Sequence, residues 1–208
     1  DNTDKVVNFL GEARALGLSV QPPDVNASSY LFEATDATTI QYGLGAVKGV
    51  GRGAVENIVD ARTRSGAFAD LADFCQRVDA QKLNKRVFEA LILSGSMDAL
   101  ANNRASLMAQ LPECMRAAEQ QARDAEAGQF SMFGAANPSA PKHALVEVAD
   151  WPISQRLAGE RDTLGYYLSG HPTDAWRDLI AEVATCAIGD IDKHYKPPQG
   201  ERRSRFVD

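Results

Sequence analysis

The sequence predicts a mainly α-helical fold with two helix–turn–helix pairs in tandem, and three observations support this prediction. Apolar residues recur at helical spacing over residues 55–62, 71–78 and 87–92. Glycine, aspartate or asparagine stands at the ends of these stretches, as is typical of helix boundaries. A segment rich in Pro, Ala and Ser, residues 135–144, is typical of a linker between this helical part and further helices.

Before the tandem pairs, the sequence predicts one helix and short extended segments. The helix covers residues 4–16 and ends at Gly17. The two prolines at 22 and 23 exclude a helix from the following stretch, which is rich in turn-forming residues. The stretches YLFEA and TIQY are short enough for strands or extended connectors.

Capping residues place the helices of the tandem pairs. The helix after the glycine-rich turn VKGVGRGAV ends at Gly66, Asp70 caps a short helix, and Asn84 caps one that Gly95 closes. Asn103 begins a long helix with a polar tail.

Within that long helix, Pro112 either kinks the helix or restarts it. Two more helices are expected after Ser154 and Pro172. The second carries an apolar stripe expected to face a core, namely Trp176, Leu179, Ile180 and Val183.

Composition restricts the function classes. The chain has 208 residues, 44% hydrophobic and 24% charged, which is ordinary for a globular protein. It has no apolar run near the roughly 18 residues of a membrane span and no secretory signal. The net charge of −6 argues against bulk electrostatic binding of nucleic acid, but basic residues outnumber acids around the glycine-rich turn and over residues 81–104. Because the chain begins with Asp1 rather than Met, we expect a segment of a longer protein.

Cysteine and histidine are too scattered to predict a metal site. The three cysteines form no CxxC pair, and the three histidines are equally dispersed. We therefore expect no metal site and reduced thiols in the cytoplasm.

The glycine-rich turn raises the question of which phosphate it binds. A dinucleotide site requires GxGxxG after a buried strand, whereas Gly49, Gly51 and Gly53 are spaced GxGxG after a short polar stretch. A Walker A motif is excluded because no GK[ST] is present. The sequence therefore disfavours a nucleotide cofactor.

The same turn fits a helix–hairpin–helix motif that binds a nucleic-acid backbone. A short helix over residues 44–48 would precede the hairpin, and Val50 would anchor it in the core. Gly49 and Gly51 would permit positive φ and a close approach of backbone N–H groups to an anion. The next helix would direct its N-terminal N–H groups at a phosphate without reading a base. The expected phosphate-binding residues are Lys48, Gly49, Val50, Gly51, Arg52 and Gly53. The alternative is that the glycines only make a tight turn between packed helices.

The second hairpin, around residues 81–84, lacks these glycines. Its basic residues either contact phosphate through their side chains or form a solvated face, and they are Lys82, Lys85 and Arg86.

The segment QFSMF places large apolar residues between a polar helix tail and the linker, where exposed apolar side chains usually indicate a partner. The alternative is that they fold back on the parent domain. The expected partner-binding residues are Gln129, Phe130, Ser131, Met132 and Phe133.

Several stretches together resemble the α subunits of bacterial replicative DNA polymerase III. YGLGAVKGVGRGAVENIVDAR and FADLADFCQRVD with NKRVFEALILSGSMDAL resemble the two halves of that family's tandem helix–hairpin–helix domain. QFSMFG is similar to its internal motif for binding the β sliding clamp, with Phe130 and Met132 where leucines are preferred. DKVVNFLGEARALGLSVQPPDVNAS resembles the end of the fingers domain, and GERDTLGYYLSGHP the stretch before the OB fold.

The resemblance implies a division of the chain into five parts. These are residues 1–39, the end of the fingers; 40–128, the tandem helix–hairpin–helix domain with its long C-terminal helix; 129–150, the clamp-binding motif and linker; 151–187, a helical connector; and 188–208, the approach to a β, OB-like domain.

The resemblance also implies a non-catalytic, DNA-binding function for this part of a polymerase. The expected partners are the backbone of double-stranded DNA, the β sliding clamp and further replisome subunits, with no membrane. No cofactor is expected here, because the palm carboxylates and their Mg would lie outside this chain. The alternatives are a helix–hairpin–helix module of a DNA-repair nuclease or ligase, and a purely protein-binding scaffold.

Overall fold

The computed structural model describes residues 3–79, 82–126 and 147–194. These fall into two compact units, one up to Gly170 and the other from His171 onward. The predicted mainly α-helical fold is confirmed. The helices of the first unit are α1 (Thr3–Ala15), α2 (Arg52–Ser65), α3 (Leu71–Arg77), α4 (Lys85–Leu93), α5 (Arg104–Glu126) and α6 (Ile153–Leu164). No helix in the described ranges is both long and apolar enough to span a bilayer.

A small sheet follows α1, which ends at Ala15, just before the predicted stop at Gly17 with its φ of +79°. Its strands are β1 (Ser19–Gln21), β2 (Glu33–Ala34) and β3 (Thr39–Gln41), in the order β1-β3-β2. β1 pairs parallel to β3, and β2 pairs antiparallel to it. The sequence did not predict β1, because a strand of three residues beside two prolines carries no periodic signal of its own.

The tandem helices bury one continuous core. Asp70 accepts the backbone N–H of Asp73 at 2.8 Å, and Asn84 accepts that of Val87 at 3.2 Å, so both predicted N-caps are confirmed. The largest fully buried side chains of this part include Leu44, Ile58, Leu71, Phe74, Leu83, Phe88 and Leu91. The hairpins are therefore held on a packed support.

The long helix α5 packs on α3 and α4. The Asn103 side chain accepts the N–H of Ser106 at 2.7 Å, which confirms the predicted start. Helix α5 continues through Pro112. Of the two alternatives given for this residue, a kink or a restart, the restart is therefore excluded. Leu107 and Leu111 of α5 are buried on the side that joins the core.

Helix α6 packs closely on α4 at Gly159. A Cβ at this position would lie 2.9 Å from Leu93 Cδ2, so only glycine fits without a shift of Leu93. On the same helix, Leu157 and Leu164 are buried. Helix α6 thus completes the first unit.

The second unit contains two short α-helices, α7 (Arg177–Val183) and α8 (Ile191–His194). The predicted core-facing stripe at the start of this unit is exposed: Trp176 by 60%, Leu179 by 50%, Ile180 by 43% and Val183 by 72%. That prediction is wrong for the described part of the chain, because these few short helices provide no opposing apolar layer of their own.

Candidate nucleic-acid interface

The first hairpin begins with one turn of 3-10 helix, Leu44–Ala46. The predicted α-helix over residues 44–48 is therefore shorter than expected, because Val47 already adopts extended angles (φ −75°, ψ 120°). Val50 closes the turn by donating its N–H to Val47 O at 3.1 Å, and only 5% of Val50 is exposed. Val50 anchors the hairpin in the core, as predicted.

The glycines of the turn have different conformations. Gly49 has φ +90°, in the region that favours glycine. Gly51 has φ −82° and is the N-cap of α2, so the turn uses the positive φ that glycine permits at Gly49 and not at Gly51. A Cβ at Gly51 or Gly53 would meet no atom within 4 Å. Packing within this chain therefore requires glycine at neither position.

The hairpin presents unused backbone donors to solvent. The N–H groups of Ala54 and Val55 donate to Gly51 O at 3.1 and 3.2 Å. By contrast, the N–H groups of Gly49, Gly51, Arg52 and Gly53 donate to no acceptor within the described ranges. All four of these residues are exposed. Unused N–H groups and the positive end of the helix dipole make such a turn suited to an anion.

Two basic side chains flank these donors. Lys48 and Arg52 are both exposed. The Arg52 guanidinium lies 4.2 Å from the centre of the Tyr30 ring, and its Nη1 lies 3.8 Å from Glu56 Oε1. Tyr30 can lie there because residue 45 is glycine: a Cβ at Gly45 would meet the ring at 2.5 Å. Tyr30 thus restricts the position of the Arg52 side chain, while Glu56 partly offsets the charge of Arg52.

The second hairpin has the same anchoring but a different helix start. Leu83 is fully buried, like Val50 in the first hairpin. The Asn84 side chain already accepts a first-turn N–H of α4, whereas Gly51 leaves the first turn of α2 open. The three predicted basic residues here, Lys82, Lys85 and Arg86, are exposed, and Lys85 Nζ lies 3.4 Å from Glu89 Oε1.

The hairpins are joined to each other through α2 and α4. Asp79 donates its backbone N–H to the Oδ1 of the buried Asn57 at 2.8 Å. At the other hairpin, a Cβ built on Gly49 would lie 3.8 Å from Ala90 Cβ. Each hairpin therefore contacts a helix of the other pair.

One contact of the first hairpin was not predicted from the sequence. The backbone N–H of Lys48 donates to Thr163 O, in the last turn of α6, at 2.8 Å. A backbone contact between residues so far apart leaves no pattern in the residue types, so no sequence signal could have revealed it.

A buried ion pair was also missed. Arg104 Nη1 lies 2.9 Å from Glu160 Oε1, and the two side chains are 3% and 0% exposed. Arg104 also makes two bonds of 2.8 Å to the carboxylate of Asp98. Glu160 Oε2 accepts the N–H groups of Leu168 at 2.6 Å and Ser169 at 2.8 Å. Arg104 thereby connects the start of α5 to α6, and Glu160 connects α6 to the segment that follows this helix.

Ionisation of this pair follows from its contacts. Burial alone would raise the pKa of Glu160, but hydrogen bonds from Ser169, Leu168 and Arg104 outweigh burial and hold it below its ordinary value. Burial likewise opposes the charge of Arg104, yet its bonds to Asp98 and Glu160 raise its pKa. Both groups are therefore charged at neutral pH.

The other predicted site residues cannot be placed relative to the hairpins, because they are not among the described residues. The segment Gln129, Phe130, Ser131, Met132 and Phe133 lies outside the described residues. Within the described ranges, no three His, Cys, Asp or Glu side chains are grouped to hold a metal ion. Cys75, Cys114 and Cys186 are free thiols.

Comparison with known proteins finds one motif profile and a set of relatives that share one name. Residues 17–107 match the sequence profile of the family described as helix-hairpin-helix motif. The chain is 53% identical over 190 residues to the DNA polymerase III subunit alpha of Xylella fastidiosa (strain Temecula1), which covers 90% of this chain and 16% of the relative.

Two further relatives carry the same name. Identity is 44% over 192 residues to the Vibrio cholerae protein, covering 91% of this chain and 17% of the relative. It is 44% over 178 residues to the Escherichia coli (strain K12) protein, covering 85% and 15%. The chain spans about one sixth of the length of these curated relatives. The chain is therefore homologous, over about 90% of its length, to part of the DNA polymerase III α subunits, and its residues 17–107 match the helix-hairpin-helix motif.

Proposed function

We propose that this chain is a non-catalytic part of a bacterial replicative polymerase that binds the phosphate backbone of duplex DNA through its first hairpin. The observation that carries this proposal is the group of four unused, exposed N–H groups at Gly49, Gly51, Arg52 and Gly53. They surround the start of α2, where the helix dipole favours a phosphate.

The chemistry of the hairpin implies binding without base recognition. Backbone N–H groups and the side chains of Lys48 and Arg52 suit phosphate oxygens, and such contacts position a protein without reading sequence. Because the chain carries a net charge of −6, we expect weak binding and a shallow salt dependence. Both hairpins are expected to lie on duplex DNA, with Lys82, Lys85 and Arg86 adding side-chain contacts at the second.

The test is a titration of labelled duplex DNA with the Lys48→Ala/Arg52→Ala variant at several salt concentrations. Loss of two phosphate contacts should weaken binding about tenfold or more and reduce the slope of log affinity against log salt by roughly 2. The matched control is Arg116→Ala/Arg177→Ala, which removes two exposed arginines, each paired with an acid on its own helix or the adjoining helical turn. Equal affinity and equal slope for both variants would exclude the hairpin as the DNA contact.

We further propose that Gln129, Phe130, Ser131, Met132 and Phe133 bind the β sliding clamp. The support is the motif itself: an amide followed by large apolar side chains beside a linker. Gln129→Ala/Phe133→Ala should abolish binding to immobilised clamp. Gln76→Ala/Phe9→Ala, which removes an exposed Gln and an exposed Phe elsewhere, should bind like the unmodified chain. Unchanged binding by the first variant would exclude this assignment.

For the whole polymerase, we place the catalytic carboxylates and their Mg outside this chain, and the protein in the cytoplasm with other replisome subunits. The purified chain should then add no nucleotide to a primed template in the presence of Mg. Primer extension by this chain alone would contradict the proposal, and metal-dependent cleavage of the DNA would instead favour a nuclease.

A further inference from the structure

The first hairpin is held by a helix that lies far away in the sequence. The 2.8 Å bond from Lys48 N–H to Thr163 O joins the hairpin to the last turn of α6. Lys48 directly precedes Gly49, whose φ of +90° makes the turn. A shift of α6 would therefore move the hairpin backbone at the point where its unused N–H groups begin.

Two features hold α6 in place next to Thr163. At Gly159 the helix lies against Leu93 of α4, with no room for a side chain unless Leu93 moves. At Glu160 the buried carboxylate binds Arg104 and, through the N–H groups of Leu168 and Ser169, the segment after α6. Glu160 is less than one turn before Thr163, so its fixation is transmitted directly to the Thr163 carbonyl.

We infer that Arg104 and Glu160 are positioning residues for the DNA-binding hairpin. Their ion pair holds α6, and α6 holds Lys48, so that the hairpin N–H groups remain directed at a phosphate. Neither residue can touch DNA itself, since both are buried. This inference rests on the proposed function and adds α6, which lies beyond the residues matched by the motif profile, to the functional unit.

Removing one negative charge tests the inference, because electrostatics and positioning predict opposite changes in DNA affinity. Glu160→Gln and Glu113→Gln each remove one negative charge from an arginine pair, the first buried and the second exposed by 63% at the glutamate. Electrostatics alone predicts equal or tighter binding to DNA for both. If Glu160 positions the hairpin, Glu160→Gln should instead bind duplex DNA about threefold to tenfold more weakly, while Glu113→Gln should not.

Amide hydrogen exchange at Lys48 distinguishes a local loosening of the hairpin from a loss of stability of the whole chain. In the unmodified chain, the Lys48 N–H should exchange at least about tenfold more slowly than the Gly51 N–H, which has no acceptor among the described residues. In Glu160→Gln this protection should fall, while that of Ile58 in the middle of α2 should persist. Equal exchange at Lys48 and Gly51 in the unmodified chain, or unchanged protection in the variant, would overturn the inference.

If Glu160→Gln fails to fold, Gly159→Ala replaces it. This variant keeps the ion pair, and its added methyl group would lie 2.9 Å from Leu93 Cδ2 and 3.4 Å from Leu93 Cβ and O, so we expect it to fold with α6 shifted away from α4. It should lower Lys48 protection and DNA affinity together. Normal affinity with lost protection would show that α6 does not position the hairpin.

The proposed function and this inference fail in different ways. If Lys48→Ala/Arg52→Ala binds DNA normally, the hairpin is not the DNA contact and the proposed function is wrong. If that variant binds weakly but Glu160→Gln and Gly159→Ala bind normally, only the positioning by α6 is wrong.

Discussion

Arg104 and Glu160 form a buried ion pair, 2.9 Å between Nη1 and Oε1, that joins the start of α5 to the middle of α6. Every oxygen of Glu160 has a donor: Arg104 and the Ser169 hydroxyl at Oε1, and two backbone N–H groups at Oε2. Such complete satisfaction is what allows a carboxylate to remain charged where water is excluded.

The first prediction concerns acid stability. Because the pKa of Glu160 is lowered in the folded chain, its stabilisation is fully present above the unfolded-state pKa of about 4.3 and is lost as pH falls through the lower folded-state value. Glu160→Gln should cost roughly 3–5 kcal/mol at pH 7 and less at pH 3. Urea unfolding at pH 7, 5, 4 and 3 measures this, and a cost independent of pH would contradict the assigned ionisation.

The second prediction separates two glycines of the hairpin. Gly49→Ala should destabilise the chain by about 1–2 kcal/mol, because φ is +90° there. Gly53→Ala should stabilise it by about 0.5–1 kcal/mol, since Gly53 lies inside α2 with open space around it. Yet Gly53→Ala should weaken DNA binding, because the added methyl group stands where a phosphate would approach. Thermal unfolding and a DNA titration on the same samples test both halves.

The third prediction concerns the ring beneath Arg52. Tyr30→Leu removes the aromatic face 4.2 Å from the guanidinium and should weaken duplex binding by about twofold to fivefold. Tyr30→Phe keeps the face and should bind like the unmodified chain. If both variants bind alike, stacking on Tyr30 does not prepare Arg52 for phosphate.

The fourth prediction concerns the acid next to that arginine. Glu56→Gln should strengthen duplex binding by about twofold at low salt, because it releases Arg52 from a carboxylate 3.8 Å away. Stability should change by less than about 0.5 kcal/mol, as is usual for an exposed pair. Affinity measured at low and high salt checks this, and the gain should disappear at high salt.

Most of the helices could be predicted because their signals are local. Asp70, Asn84 and Asn103 are caps that accept N–H groups three residues away, and Gly17 and Gly66 end helices through their own backbone angles. The buried position of Val50 also followed from its place between two glycines. Local reasoning did not show which of the two glycines uses positive φ: the backbone is left-handed at Gly49 and extended at Gly51.

The candidate site was predictable only in part. Lys48 to Gly53 could be identified because glycines and basic residues are adjacent in the sequence. Which N–H groups remain unused could not be predicted, since that depends on where Val50, Ala54 and Val55 find acceptors. Tyr30, which lies against Arg52, and Thr163, which binds Lys48, are distant in the sequence, and their residue types do not indicate these contacts.

The sequence by itself determined the helical class, the caps, the glycine-rich turn and the resemblance to a polymerase subunit, because each depends on neighbouring residues. Only the tertiary structure decided that β1 pairs with β3, that Trp176 and Val183 are exposed in their unit, and that Arg104 meets Glu160. The physical reason is that strand pairing, burial and ion pairing depend on residues distant in the chain. Their packing is set by the whole core rather than by any local pattern.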